Sequence, residues 1–350
     1  MTDSFMGVKC SGQRSAYNSA VCIRARSACC LRSSFLMIDT VSQYFETLVG
    51  AVFSSVVEPT LFSLGLMSWV ERGFEGTAFF VGGILQILAV VLLLWPLEKL
   101  MPAQRIDNPS NVRTDVIFTL VNKLGLLPLV AFALMFLALT PLDSWLRLQG
   151  YAPWSLEDFL PGLFASPAIN LLLYILIIDL GEYWRHRLQH RIQWWWQLHS
   201  LHHAQRDMTF WTDDRNHILD EILGALWIAT IALVIGVPPQ QFPLVLFATK
   251  FIESLSHANL RWNFGVLKFV LVSPQFHRVH HAIGVGHEGD TQGKNFAVVF
   301  SFWDKLFATA DFRDTYPATG VRDQITADRN YGTYFWETQW LGFKRLLGRA

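Results

Sequence analysis

Residues Phe79–Leu97 form a run that is apolar apart from Gln86, and no charged side chain appears until the pair Glu98-Lys99 closes it. A helix needs about 20 such residues to cross a bilayer core, so the pattern predicts a spanning helix. Similar runs cover Leu124–Thr140 and Phe159–Leu180, and a shorter pair, Ile222–Ile235 and Phe242–His257, is joined by the turn Gly236-Val237-Pro238-Pro239. Tyr44–Val70 is broken by Glu58, Pro59 and several Ser and Gly residues, so it either spans or lies in the interface. Residues 1–36 lack any such periodicity. They are rich in Ser, Arg and Cys with Asp3 as the single acid, the composition of an unstructured leader or organelle presequence, with Met37 as an alternative start.

The predicted fold class is therefore all-α: a polytopic membrane helical bundle with a cytoplasmic histidine-rich helical cap. Four regions follow: residues 1–36 as leader, 37–164 as the N-terminal membrane region, 165–312 as the histidine-bearing region including a short membrane hairpin, and 313–350 as a cytoplasmic tail. Orientation rests on basic residues in short loops. The loop after the first clear span carries Lys99, Arg105 and Arg113, with Lys123 entering the next span, whereas Pro141–Asp158 has only Arg147. The first loop should be cytoplasmic, and counting onward puts residues 181–221 and the tail from 258 on the same face. The membrane would be a bacterial inner membrane or the endoplasmic reticulum.

Composition sharpens this picture. Hydrophobic residues make up 52% of the chain and charged residues 16%, against about 25% charged in ordinary soluble domains. Lys+Arg and Asp+Glu tie at 28 each, which leaves no basic excess to neutralise a phosphate backbone and excludes nucleic acid as a partner. The cysteines are Cys10, Cys22, Cys29 and Cys30, all in the leader. A disulfide framework and a Cys-rich zinc site are thereby excluded from the rest of the chain.

All 11 histidines fall between His186 and His287. His186 and His190 stand four apart in a stretch without Gly or Pro, so on a helix both rings share one face. His199-Ser-Leu-His202-His203 and His277-Arg-Val-His280-His281 each repeat the pattern HxxHH, whose adjacent pair diverges enough to serve two different metals. Cubing the chain's own histidine frequency gives roughly 0.01 chance occurrences of HxxHH, and the chain has two. Imidazole suits zinc, copper, iron or nickel. A structural zinc needs only four ligands, so eight imidazoles imply two metals.

Neutral imidazoles cancel no metal charge, so carboxylates are expected behind them to orient the rings. Asp179, Glu182, Asp220, Glu221 and Glu253 are the candidates; Glu182 lies four before His186 and Glu253 four before His257. Each could equally be an ordinary interfacial acid. His217 and His257 stand at the expected membrane edge and are candidate ligands beside the boxes, whereas His287, in the Gly-rich stretch Gly284–Gly289, reads as a loop residue. Trp194-Trp195-Trp196, with Phe210 and Trp211, would line an entrance for an apolar molecule or form an aromatic belt.

Over residues 165–312 the chain resembles the fatty acid hydroxylase and sterol desaturase superfamily. The resemblance rests on ordered motifs: Asp179-Leu-Gly-Glu182-Tyr-Trp-Arg-His186-Arg-Leu-Gln-His190, Leu198-His199-Ser-Leu-His202-His203, Arg215-Asn-His217, Ser256-His257-Ala-Asn259, Phe276-His277-Arg-Val-His280-His281, Asn295-Phe296 and Phe302-Trp303-Asp304-Lys-Leu-Phe307-Ala-Thr309. It implies a di-iron centre of two iron ions held by His186, His190, His199, His202, His203, His277, His280 and His281, with His217 and His257 as additions. It also implies O2 as co-substrate and a membrane lipid, a fatty acyl chain, sterol or related molecule, as the substrate hydroxylated. Electrons would come from a separate reductase with a ferredoxin or cytochrome b5, since no haem or flavin domain is visible. The chain departs from the family pattern at Ala297 and Ala308, where Gly is frequent, and at Ile218, where Pro is common.

Two other readings stand beside lipid hydroxylation. One is a desaturase of the same superfamily. The other is a metal transporter or metal-sensing membrane protein, which should carry ionisable ligands inside several spans, whereas here the boxes flank the spans.

Overall fold

A computed structural model describes residues 40–124, 137, 140–151, 167–236 and 242–349. The described residues form helices and irregular loops, with no β-strand beyond two isolated bridges. The leader, most of the expected span at 124–140, the start of the one at 159–180 and the expected turn at 237–239 lie outside the described residues.

The weaker N-terminal stretch forms helix α1 (Thr40–Ser63), with one π turn at Phe53–Val57. The first clear span is α2 (Val70–Leu100). Its buried residues Gly83, Gln86, Val90 and Leu94 fall on one stripe, with Thr77 and Val81 buried on another face nearer its start, while Leu88, Leu92, Leu93 and Trp95 are exposed. An apolar face of this size has no stable place in water and fits lipid. By length and apolar composition, Thr40–Ser63, Met67–Leu100 and Ile218–Ile235 could each cross a membrane.

Helix α3 (Pro109–Leu124) packs against α2 at Gly83. A Cβ added there would lie 2.2 Å from the Lys123 carbonyl oxygen, so only glycine lets the two backbones approach this closely. Helix α4 (Pro167–Arg191) carries the first histidine pair, and α5 (Gln193–His203) turns back across it. Helix α6 (Ile218–Ile235) ends at Gly236, whose φ of 66° is the left-handed helix stop. It packs on α4, and the Trp227 indole donates to the Gly181 carbonyl at 3.0 Å. Helix α7 (Phe242–His257) lies against α2 and α4, and the short helix α8 (Pro274–His280) packs beside it. The Ser273 hydroxyl caps α8 by accepting from the Phe276 amide. Finally α9 (Phe335–Leu346) packs on α5 and α3.

Loops tie these helices into one frame around the histidines. Glu98, at the end of α2, accepts from the Phe210 amide (2.9 Å) and the Asn259 amide (2.7 Å). Asn259 in turn exchanges hydrogen bonds with the Gln104 backbone. The end of α7 is thereby fixed to the loop after α2, and His257 sits at that end.

Candidate metal centre

Nine of the histidines converge in two adjoining groups. His186, His190, His199, His203 and His280 form the first, and His202, His257, His277 and His281 the second, with every residue buried. The His203 and His281 rings stack at 4.3 Å where the groups meet. Adjacent residues on a helix point about 100° apart, which is why His202 and His203 go to different groups, as do His280 and His281.

In the first group the ring nitrogens have divided roles. Nδ1 of His186 faces the Phe296 carbonyl (2.8 Å), that of His280 the Lys294 carbonyl (2.6 Å), and that of His190 the Gly286 carbonyl. Nδ1 of His199 faces Asp220 at 3.1 Å. With the proton held on Nδ1 by these acceptors, each Nε2 presents a lone pair. The Nε2 atoms of His186, His190, His199, His203 and His280 are buried and have no hydrogen-bond partner. Five inward-facing lone pairs left unpaired would be costly in a protein interior, and a bound cation removes that cost.

The second group converges more tightly. Nε2 of His257 lies 3.0 Å from Nε2 of His202 and 2.9 Å from that of His277, which is 3.2 Å from that of His281. Ligand bonds of about 2.1 Å at roughly a right angle place donor atoms about 3.0 Å apart. These residues therefore fit a metal ion by chemistry and by spacing. Burial and the neighbouring imidazoles hold His202, His203, His277 and His281 well below the ordinary histidine pKa, so the rings are neutral and ligand-ready at pH 7.

Of the expected supporting acids, Asp220 stands directly behind a histidine. Besides facing His199 it accepts from Gln189 Nε2 (2.8 Å) and Trp195 Nε1 (2.7 Å). Asp179 acts at one remove: it accepts from the Val299 and Phe300 amides (2.8 Å each) and from the Trp303 indole (3.1 Å). Asp304 does the same for the Phe296 and Ala297 amides (2.8 Å each). Together they hold the segment whose Phe296 carbonyl receives His186. Glu182 faces Arg185 (2.5 Å) rather than His186, and Glu253 faces Lys250 (2.6 Å), although the Glu253 backbone carbonyl does receive His257 Nδ1 at 2.8 Å.

Asp213 was not among the sequence candidates. It lies 3.9 Å from His257 Nδ1 and accepts from the Ser254 hydroxyl at 2.8 Å. No periodicity or motif pointed to it, because it reaches the site from the 3-10 turn Phe210–Asp214. Asn295 also has a structural role that its motif did not reveal. At φ 60°, it donates to the Phe276 carbonyl (2.8 Å) and the Asp311 carbonyl (2.9 Å).

Expectation and structure part at His217. It caps α6, its Nδ1 accepting from the Leu219 amide (3.2 Å) while Nε2 donates to the Gln339 carbonyl (2.9 Å). Both nitrogens are engaged away from the two groups, so the structure does not bring His217 to the metal site. Its ring fills the space left by Gly342, where a Cβ would come within 2.5 Å of Cδ2. The aromatic run differs too: Trp195, Trp196 and Phe210 are buried and only Trp194 is well exposed, so the run is internal packing instead of an entrance. His287 stacks on Trp196 at 4.3 Å and joins neither group.

A cavity of about 240 Å³ touches both groups, through His186 and His199 on one side and His202, His257 and His277 on the other. Part of its wall runs along α6 through Ile222, Ala225, Ile228 and Ala229, and the charged side chains of Arg185, Glu221, Lys250 and Glu253 line it as well.

Fold and site together define a helical protein with three helices, among the described residues, long and apolar enough to cross a membrane and two buried histidine groups able to hold metal ions. Residues 171–309 match the fatty acid hydroxylase family model. The chain is 28% identical to the alkylglycerol monooxygenase of Homo sapiens over 47% of its own length and 37% of the relative's. It is 24% identical to an ornithine lipid hydroxylase of Rhizobium tropici over 74% of this chain and 76% of that protein. A putative methylsterol monooxygenase of Dictyostelium discoideum is 27% identical over 41% and 51%. The chain thus spans less than two fifths of the human alkylglycerol monooxygenase. No solved structure matches it.

Proposed function

We propose that this protein is a membrane monooxygenase that hydroxylates a C–H bond of a lipid with O2, using two iron ions, one in each histidine group. The observation that carries the reading is the cavity, which joins both groups to an apolar wall along α6. An unactivated C–H bond gives a side chain no acid or base handle, so the redox chemistry belongs to the metals and O2.

The chain's own residues have definable tasks in this reaction. The Nδ1 acceptors at Phe296, Lys294, Gly286 and Asp220 hold the first-group rings in one tautomer and orientation. Asp220 and Asp213, behind His199 and His257, offset the charge that neutral imidazoles leave uncompensated. Burial of all nine rings excludes water from the oxidising site. Ile222, Ala225, Ile228 and Ala229 let an alkyl chain approach from the bilayer without crossing water. Electrons would arrive from a separate ferredoxin or cytochrome b5 at the water-facing side, and the basic residues in the short loops support a cytoplasmic orientation for that side.

The test is lipid profiling under labelled oxygen, in cells with and without the gene. One label atom in a lipid that accumulates only with the gene supports the reading. A lipid that gains a double bond and no label would instead indicate desaturation, and an unchanged lipid profile with altered cellular metal would indicate transport.

A further inference from the structure

The acids around the cavity can be sorted by partner. Glu182 pairs with Arg185 at 2.5 Å, Glu253 with Lys250 at 2.6 Å, Asp115 with Arg215 at 2.8 Å and Asp214 with Lys123 at 3.0 Å. Asp220 and Asp213 stand behind His199 and His257. Glu221 remains. Its carboxylate lines the cavity within electrostatic reach of Arg185 and Lys250, which are committed to Glu182 and Glu253, and makes no hydrogen bond or ion-pair contact of its own with any described residue.

The position of Glu221 adds to this. It lies in the first turn of α6, one residue after Asp220, on a helix of membrane-spanning length and composition. The cavity continues down α6 to Ala229, eight residues on, a distance of about 12 Å at 1.5 Å per residue. The histidines and the unpaired carboxylate thus share one end of the cavity, and the apolar wall forms the other. A half-buried carboxylate that lines a cavity with no partner among the described residues is satisfied when a ligand supplies a donor.

We propose that Glu221 binds the polar headgroup of the lipid through a hydrogen-bond donor on it, an ammonium or a hydroxyl group. The substrate is then a single-headed amphiphile or polar lipid that keeps its chain along α6, and the carbon presented to the metals lies within a few bonds of the headgroup. A lipid oxidised far along its chain would need the reverse arrangement, with the apolar wall next to the histidines. This inference rests on the lipid oxygenase reading for what happens after binding, but binding itself can be measured without turnover.

The experiment is equilibrium binding of dodecylamine, dodecanol and dodecanoate to the detergent-solubilised holoprotein, with Ala225→Trp, which fills the cavity, to subtract partition into detergent. Wild type should take up the amine and the alcohol in preference to the carboxylate. Glu221→Gln should weaken amine binding roughly ten- to hundredfold, the range of a charge-assisted hydrogen bond, and alcohol binding less, with metal content unchanged. Loss for the amine alone identifies an ammonium headgroup, and comparable loss for both identifies a hydroxyl. Equal affinities in wild type and Glu221→Gln, or a wild-type preference for dodecanoate, would overturn the proposal. Should Glu221→Gln lose metal, Glu221→Asp decides: it keeps the charge and should keep the wild-type order of probes, and a reversed order refutes the assignment. If the binding order holds while no lipid gains labelled oxygen, the oxygenase reading fails and the headgroup site stands.

Discussion

The Nε2 atoms of His257 and His202 lie 3.0 Å apart although the residues are 55 apart in the chain. Two neutral imidazoles brought this close by their lone-pair atoms gain little from each other and much from a shared cation. His257→Ala should therefore lose metal from the second group and abolish turnover. Metal analysis of the purified variant is the check, and a full metal complement at normal rate would remove His257 from the site.

His217→Ala should behave differently. The ring caps α6 and joins it to Gln339, with both nitrogens in use. Metal content should be unchanged while unfolding stability drops by about 1–2 kcal/mol, the worth of a helix cap plus a buried hydrogen bond. Loss of metal without loss of stability would restore His217 as a ligand.

Asp220 and Glu182 separate an acid behind a ligand from an acid in a structural pair. Asp220→Asn removes the charge facing His199 and should weaken metal binding about 10- to 100-fold. Glu182→Gln leaves Arg185 buried without its partner, and should cost about 3–5 kcal/mol of stability with metal affinity retained. Chelator competition and denaturant unfolding, run on both variants, distinguish the two effects.

Ala308 occupies φ 57°, where an L side chain crowds its own carbonyl and glycine does not. Its position is one at which the resembling family often has Gly. Ala308→Gly should stabilise the protein by about 1 kcal/mol with activity unaltered, measured as a rise in unfolding midpoint. A fall in the midpoint would mean that the methyl group contributes more through packing than the backbone loses.

The pH response follows from the buried rings. His202, His203, His277 and His281 have folded-state pKa values well below the ordinary 6.5. Below that value the unfolded chain takes up protons first, so stability is full above about pH 6.5 and falls as pH drops through the folded values. Bound metal steepens the fall, because ligands must be neutral. Thermal unfolding from neutral pH down to about pH 5.5 should show a falling midpoint together with metal release, and a flat profile would contradict the assignment of neutral imidazoles.

Much of this protein could be read along the chain because the relevant relations are short. A run of 19 uncharged residues sets a span at Phe79–Leu97 with no help from its neighbours. The spacing of His186 and His190, and of each HxxHH unit, puts rings on one helical face by helix geometry alone. Even the division of His202 from His203 is implied by the angle between adjacent residues.

What only tertiary structure decided are the relations between distant segments. Local spacing could not distinguish His217 from His257, since both stand at the end of an apolar helix; the approach of α9 occupied one ring with Gln339, and the stitching of Asn259 to Gln104 turned the other toward His202. Asp213 and Asp304 carry no periodic signal, and gained their roles when folding carried Ser254 and the Phe296 amide to them. Glu221 was one of several equivalent acids in the sequence. Among the described residues it was left without an ion-pair contact when Arg185, Lys250, Lys123 and Arg215 had each found a nearer carboxylate, because ion pairing is settled by distances of a few ångströms that the chain acquires only on packing.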